Sequence, residues 1–237
     1  MKTMAIFCAA GIRYLKPAVL ARFSSFELSE AVRARYHFTD TPTARELAMP
    51  VTPGVARFFY GKMEAPDRPI TIEQLIVTCA DHRTTVLEAS TRSSTDDADA
   101  FLEDLVGWGR RRYGIDTEAV FAPAYRSLLE VSFDKPIGAA FGEIHEVGRT
   151  ITHLVKDYGR DCPPFELAGL RLNAVSPIEG APELACFSLE RCADSAPGEN
   201  RYLAQAPLRT HDHETLLAEM EKLLAGRGRV GIALMDE

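Results

Sequence analysis

The chain has 237 residues, of which 46% are hydrophobic and 26% charged, and its formal net charge is −7. That length suits one large domain or two small intimate ones, burying roughly 70–75% of the unfolded surface without a metal or disulfide. The negative balance works against polyanion binding, and no apolar run approaches the roughly 20 residues of a membrane span.

The N-terminal stretch MAIFCAAGIRYL has the density of a buried strand. Arg13 and Lys16 interrupt its apolar run Met4–Ile12 too early for a secretory leader, which points to the cytoplasm. SSFELSEAVRARYHF fits two descriptions: a helix capped at Ser25 or Ser29, or a strand alternating Val32, Ala34, Tyr36 and Phe38. The three prolines of TDTPTARELAMPVTPG mark a loop, so residues 1–65 read as a strand-and-loop segment packed on a later core.

From residue 55 the pattern sharpens. ARFFYGKME is a strand, and the β-branched runs ITIEQLIVTCA and RTTVLEAST are two more. Only Asp81-His82-Arg83 joins the last two, so they should form an antiparallel hairpin. In STRSSTDDADAFLEDL, Ser94 or Thr95 is placed to cap a helix, with Asp96, Asp97 and Asp99 at its positive pole. Ala98, Phe101, Leu102, Leu105, Trp108 and Tyr113 then make one apolar face, and Gly114 ends it. Arg110-Arg111-Arg112, the densest basic run, suits the negative pole of the same helix better than a nucleic acid.

YRSLLEVSFD follows as a strand, and Pro136 opens a helix through Phe141, Ile144, Val147, Ile151, Leu154, Val155 and Tyr158 that Gly159 ends. FELAGLRLNA and LACFSLERC are strands, the first with a bulge expected at Ala168-Gly169. ADSAPGENRYLAQAPL reads as a polar loop, and His211 to Ala225 as the last helix, burying Leu216, Leu217, Met220, Leu223 and Leu224.

Thr95–Leu105 aligns with Thr210–Met220 in the frame T-x-D-x-acid-x-apolar-L-x-acid-apolar. Each copy follows two strands, which suggests a ββα duplication with repeats over 66–134 and 160–237. Two capped amphipathic helices would share that frame even without common descent. Either way the element order implies one α+β domain: a mainly antiparallel sheet with helices packed on one face.

Catalytic signatures are weak. The run Gly226–Gly231 matches G-x-G-x-x-G, yet it leaves a helix where a dinucleotide site leaves a strand. His211 and His213 have metal-ligand spacing on a strand but diverge by about 200° on a helix. His145, His153 and Arg149 form a polar stripe on the 136–158 helix, with Glu143 and Glu146 beside it. No nucleophile elbow, P-loop, zinc-protease motif or zinc-spaced cysteine set is present.

The five cysteines Cys8, Cys79, Cys162, Cys186 and Cys192 lack C-x-x-C spacing, and Cys8, Cys79 and Cys186 lie in apolar runs; all read as reduced thiols. Cys162, beside Arg160 and Asp161, is the thiol least obviously in a core, and a nearby cation favours thiolate. The reading is therefore a non-catalytic, macromolecule-binding or assembly protein that associates with itself or another protein. No cofactor, metal, nucleic acid or membrane is expected. Arg201 and Tyr202, in a polar loop and of types enriched at hot spots, are the interface candidates. The alternative is a small-molecule hydrolase or transferase whose site gathers His82, Cys162, His211 and His213.

Overall fold

The computed structural model of the protein describes residues 1–16, 19, 25–43, 56–80, 84–140, 142–174, 185–196 and 198–224. Eight strands form one antiparallel sheet: β1 (Lys2–Leu15), β2 (Ala56–Met63), β3 (Ile70–Ala80), β4 (Thr84–Thr91), β5 (Ala119–Ser132), β6 (Gly169–Leu172), β7 (Phe187–Arg191) and β8 (Arg201–Ala206). The described α-helices are α1 (Phe26–Tyr36), α2 (Thr95–Tyr113), α3 (Gly142–Asp157) and α4 (Thr210–Leu224), with a 3-10 turn at Ile137–Ala140. The fold is α+β, as the element order implies.

The strand order β2-β3-β4-β1-β5-β8-β7-β6 reads the same from either edge once each half is renumbered. The chain runs β-α-β-β-β-α twice, first from β1 to α2 and then from β5 to α4. The duplication is thus larger than ββα, and it divides the chain differently from repeats at 66–134 and 160–237. β5 opens the second repeat rather than closing the first. Residues before 65 supply β1, α1 and β2, and β1 lies at the centre of the sheet.

Register fixes the relation between the halves. Ala9 pairs with Thr91 on β4 as Ser127 pairs with Ala206 on β8, and Ala9 and Ser127 face each other across β1 and β5. A pseudo-two-fold axis therefore passes between Ala9 and Ser127. The antiparallel β1–β5 seam is self-complementary in the way a two-fold contact must be.

Local chemistry explains the elements. Ser25 caps α1 by accepting from the Leu28 amide, and Leu28, Val32 and Tyr36 bury one helical face, which settles the helix-or-strand ambiguity. Ser94 caps α2 through the Asp97 amide, and Gly114 ends it in the left-handed conformation. β3 and β4 pair antiparallel from Gln74↔Ser90 to Ala80↔Thr84; their connector 81–83 lies outside the described residues, as do most of the 39–54 loop and everything after Leu224.

Each repeat has its own core. In the first, Tyr36, Phe38, Phe58 and Phe101 stack between α1, α2 and the sheet. Gly61 is needed there because a Cβ would fall 2.5 Å from the Phe38 ring. In the second, Leu129, Val131, Ile137, Leu189, Tyr202 and Leu217 pack together.

The second repeat departs from expectation in three places. Residues 201–206 form a fully paired strand, β8, inside what read as a loop. FELAGLRLNA is strand only over its last part: β6 begins at Gly169, where a Cβ would lie 2.5 Å from the Leu189 carbonyl oxygen. The long helix is broken into the 3-10 turn and α3, and the apolar stripe of α3 faces out instead of in.

Candidate functional site

The α2 and α4 N-termini meet on the pseudo-two-fold axis. The Thr95 amide donates to Thr210 Oγ1 (3.0 Å), and the Thr210 amide donates to Thr95 Oγ1 (2.9 Å), all of it buried. Beside them Asp99, on the inward face of α2, accepts from Tyr125 Oη (2.9 Å) and pairs with Arg13 (2.7 Å) and Arg209 (3.2 Å). The Arg209 guanidinium lies 4.4 Å from the Tyr125 ring centre and also reaches Asp96. Burial first, then the Asp99 bond, raises the Tyr125 hydroxyl pKa.

Asp99 therefore does more than suit a helix pole. Through Arg13, Tyr125 and Arg209 it ties β1, α2, β5 and the residue before α4 together. Its partners are remote in the chain, so no local pattern announces them.

Beside the same axis, within the second repeat, Ser127 Oγ lies 2.6 Å from His213 Nδ1. The equivalent positions of the first repeat are Ala9 and Ala98, and all four residues are buried. Burial lowers the His213 pKa to about 4, so the imidazole is neutral. Among the described residues its Nε2 is buried without a hydrogen-bond partner, and Phe187 approaches the ring edge-on. This is a nucleophile–base contact in distance, but no described carboxylate orients the imidazole and neither side chain touches solvent. His211, two residues earlier, is exposed, so the two rings diverge as a helix requires.

The other sequence candidates are dispersed. His82 lies outside the described residues, as does the glycine run at 226–231. Cys162 is half-buried against α3, its Sγ 4.0 Å from the Thr152 carbonyl oxygen. His153 bonds Asp157 on the outside of α3; of His145 only its place in the helix is described. Among the described residues no three His, Cys, Asp or Glu side chains converge as a metal site. No described helix is long and apolar enough to cross a membrane.

Tyr202 and Arg201 are adjacent on β8 and point to opposite faces of the sheet. Tyr202 is 1% exposed in the second core, where its hydroxyl accepts from the Ile137 amide at 3.2 Å. This corrects its placement on a surface loop: a partner cannot reach it in this conformation. Arg201 emerges on the face away from α2 and α4, paired with Glu130, and lines a hollow of about 310 Å³ with Phe7, Cys192 and Leu203. A second hollow on that face, about 390 Å³, is lined by Tyr14, Arg126, Arg171 and Gln205. The first is lined more by apolar than by polar surface, and the second by both about equally.

Among the described residues a run of exposed apolar side chains lies along α3 and on Tyr158, the residue after it. Ile144, Val147, Ile151, Leu154 and Tyr158 are 45%, 56%, 38%, 46% and 74% exposed. Phe165, also exposed, extends the patch: its amide donates to Thr152 Oγ1 (2.9 Å). The other side of α3 is seated, since a Cβ on the buried Gly148 would lie 2.4 Å from the Phe165 carbonyl oxygen. Its counterpart in the first repeat, α1, buries Leu28, Val32 and Tyr36 in that repeat's own core. A stripe of this spacing on a helix normally faces a core, so its exposure could not be read from the sequence. In comparisons with known proteins, no family model and no curated sequence matches the chain.

Proposed function

We propose that this is a non-catalytic, cytoplasmic protein that works by binding another protein chain or by assembling with itself, using no cofactor. One observation carries the reading: among the described residues α3 leaves its apolar stripe exposed, while the equivalent helix of the other repeat buries Leu28, Val32 and Tyr36. Soluble proteins rarely expose such a patch unless it is covered in use. The net charge of −7, with Arg110 turned back onto Thr117 Oγ1 (2.9 Å), favours a protein over a nucleic acid as partner. A photoreactive phenylalanine at Val147 tests this in the source cell. Light-dependent adducts to protein support it, and their absence there, with adducts equally absent from the purified chain, sinks it.

The second reading, a small-molecule hydrolase or transferase, draws on the Ser127–His213 contact. Ser127 would be its nucleophile and His213 its base, and α4 would have to move off β5 to admit a substrate. Labelling of Ser127 by a fluorophosphonate, lost in Ser127→Ala, would favour it. An unlabelled Ser127 in the folded chain leaves the pair structural.

A further inference from the structure

Ile144, Val147, Ile151, Leu154 and Tyr158 recur at steps of three, four, three and four residues. That is the 3.5-residue period of a helix-pairing seam, with Ile144, Ile151 and Tyr158 at one set of positions and Val147 and Leu154 at the other. A globular core is served by a broader stripe of period 3.6, which is how α2 packs. Residues beside the α3 seam are already committed. Gly148 is closed off by Phe165, Thr152 Oγ1 accepts from the Phe165 amide, and Arg149 pairs with Glu146.

We propose that the seam pairs with the same seam of a second copy, so that the protein is a two-fold homodimer joined through α3. This rests on the binding reading above and names its partner.

Charge, area and self-complementarity support a second copy. Between residues 142 and 157 three acids face two bases, so the helix is nearly neutral although the chain carries −7. Two copies are therefore not repelled at this face. With Phe165, the exposed fractions amount to about 600 Å² of mainly apolar surface per chain, against about 800 Å² per partner in a standard stable interface. The polar flanks of α3 can supply the difference. A two-fold contact needs one self-complementary patch, and a heptad seam is such a patch.

Sedimentation equilibrium of the full chain from about 1 to 200 µM should show the mass rising from 26.2 kDa to twice that value. Val147→Glu/Leu154→Glu should remain at 26.2 kDa throughout, with the circular dichroism spectrum of the parent. Ile151→Glu provides a second variant if the double change perturbs the fold. A parent chain that stays monomeric at 200 µM overturns the homodimer, and so does a dimer that both variants preserve. The photoreactive group at Val147 separates this failure from that of the binding reading. An adduct to a different protein, with none to a second copy, leaves the binding reading standing and the homodimer lost. No adduct in either setting removes both.

Discussion

Thr95 and Thr210 cap each other. Each is the first residue of its helix, each amide donates to the other's hydroxyl, and the two bonds differ by 0.1 Å. First-turn amides have no partner within their own helix, and here the other repeat provides it. The aligned frames at 95–105 and 210–220 thus coincide on the pseudo-two-fold axis. Thr95→Val and Thr210→Val should each strand one buried amide and cost about 1–3 kcal/mol in urea unfolding, while the serine variants keep most of the stability. Valine variants as stable as the parent would show the contact to be incidental.

The neighbouring Ser94 has a different role, since its hydroxyl accepts from the Asp97 amide of its own helix. Ser94→Ala should cost about 0.5–2 kcal/mol and Ser94→Gly only a few tenths, because glycine leaves the cap open to water. Equal losses for the two changes would argue against capping.

Acid should reveal His213. Its folded pKa is lowered to about 4 from the ordinary 6.5 by burial, so the unfolded chain takes up a proton before the folded one does. Stability is then flat above pH 6.5 and falls as the pH drops towards 4, by about 3 kcal/mol from this group at 1.36 kcal/mol per unit. Carboxylates titrate in part of the same window, so the useful quantity is the difference between parent and His213→Gln. That difference should shrink on acidification. Two parallel stability curves would place the imidazole in water.

Legibility followed the kind of interaction that fixes each element. α2 was legible because its cap, acids, apolar face and Gly114 are local signals. The β3–β4 hairpin was legible because a three-residue connector admits little else. β8 was not, because its inward residues Tyr202, Ala204 and Ala206 are mostly small, and Gly198 and Pro207 beside them signal a loop. Ser127 and His213 are 86 residues apart, and neither carries a motif. The exposure of α3 depends on which described elements pack against it, which periodicity does not record.

Separating Arg201 from Tyr202 follows from their opposite faces. Tyr202→Ala deletes a buried ring packed on Phe133 and orphans the Ile137 amide, and should cost about 3–5 kcal/mol. Arg201→Ala removes a solvent-facing partner of Glu130 and should leave the chain folded with its melting temperature close to the parent's. A Tyr202→Ala chain that keeps its parent's melting temperature would return that ring to the surface.

The thiol of Cys8 offers a probe of the sheet face away from α2 and α4. Burial raises its pKa, Arg126 lowers it, and Glu88 raises it again; Arg126 and Glu88 are themselves an ion pair bridging β5 and β4. The thiolate is the reactive form, so labelling rate at fixed pH follows that balance. Glu88→Gln removes the opposing charge and frees Arg126 for the thiolate, so maleimide labelling of Cys8 at pH 7.5 should quicken. Arg126→Met removes the one favourable charge and should slow it. Cys192, whose pKa is raised by burial and by Glu130, is remote from both changes and serves as the internal reference. If both variants label Cys8 at the parent rate while Cys192 is unchanged, access and not charge governs the thiol, and the Glu88–Arg126 pair does not face it in solution.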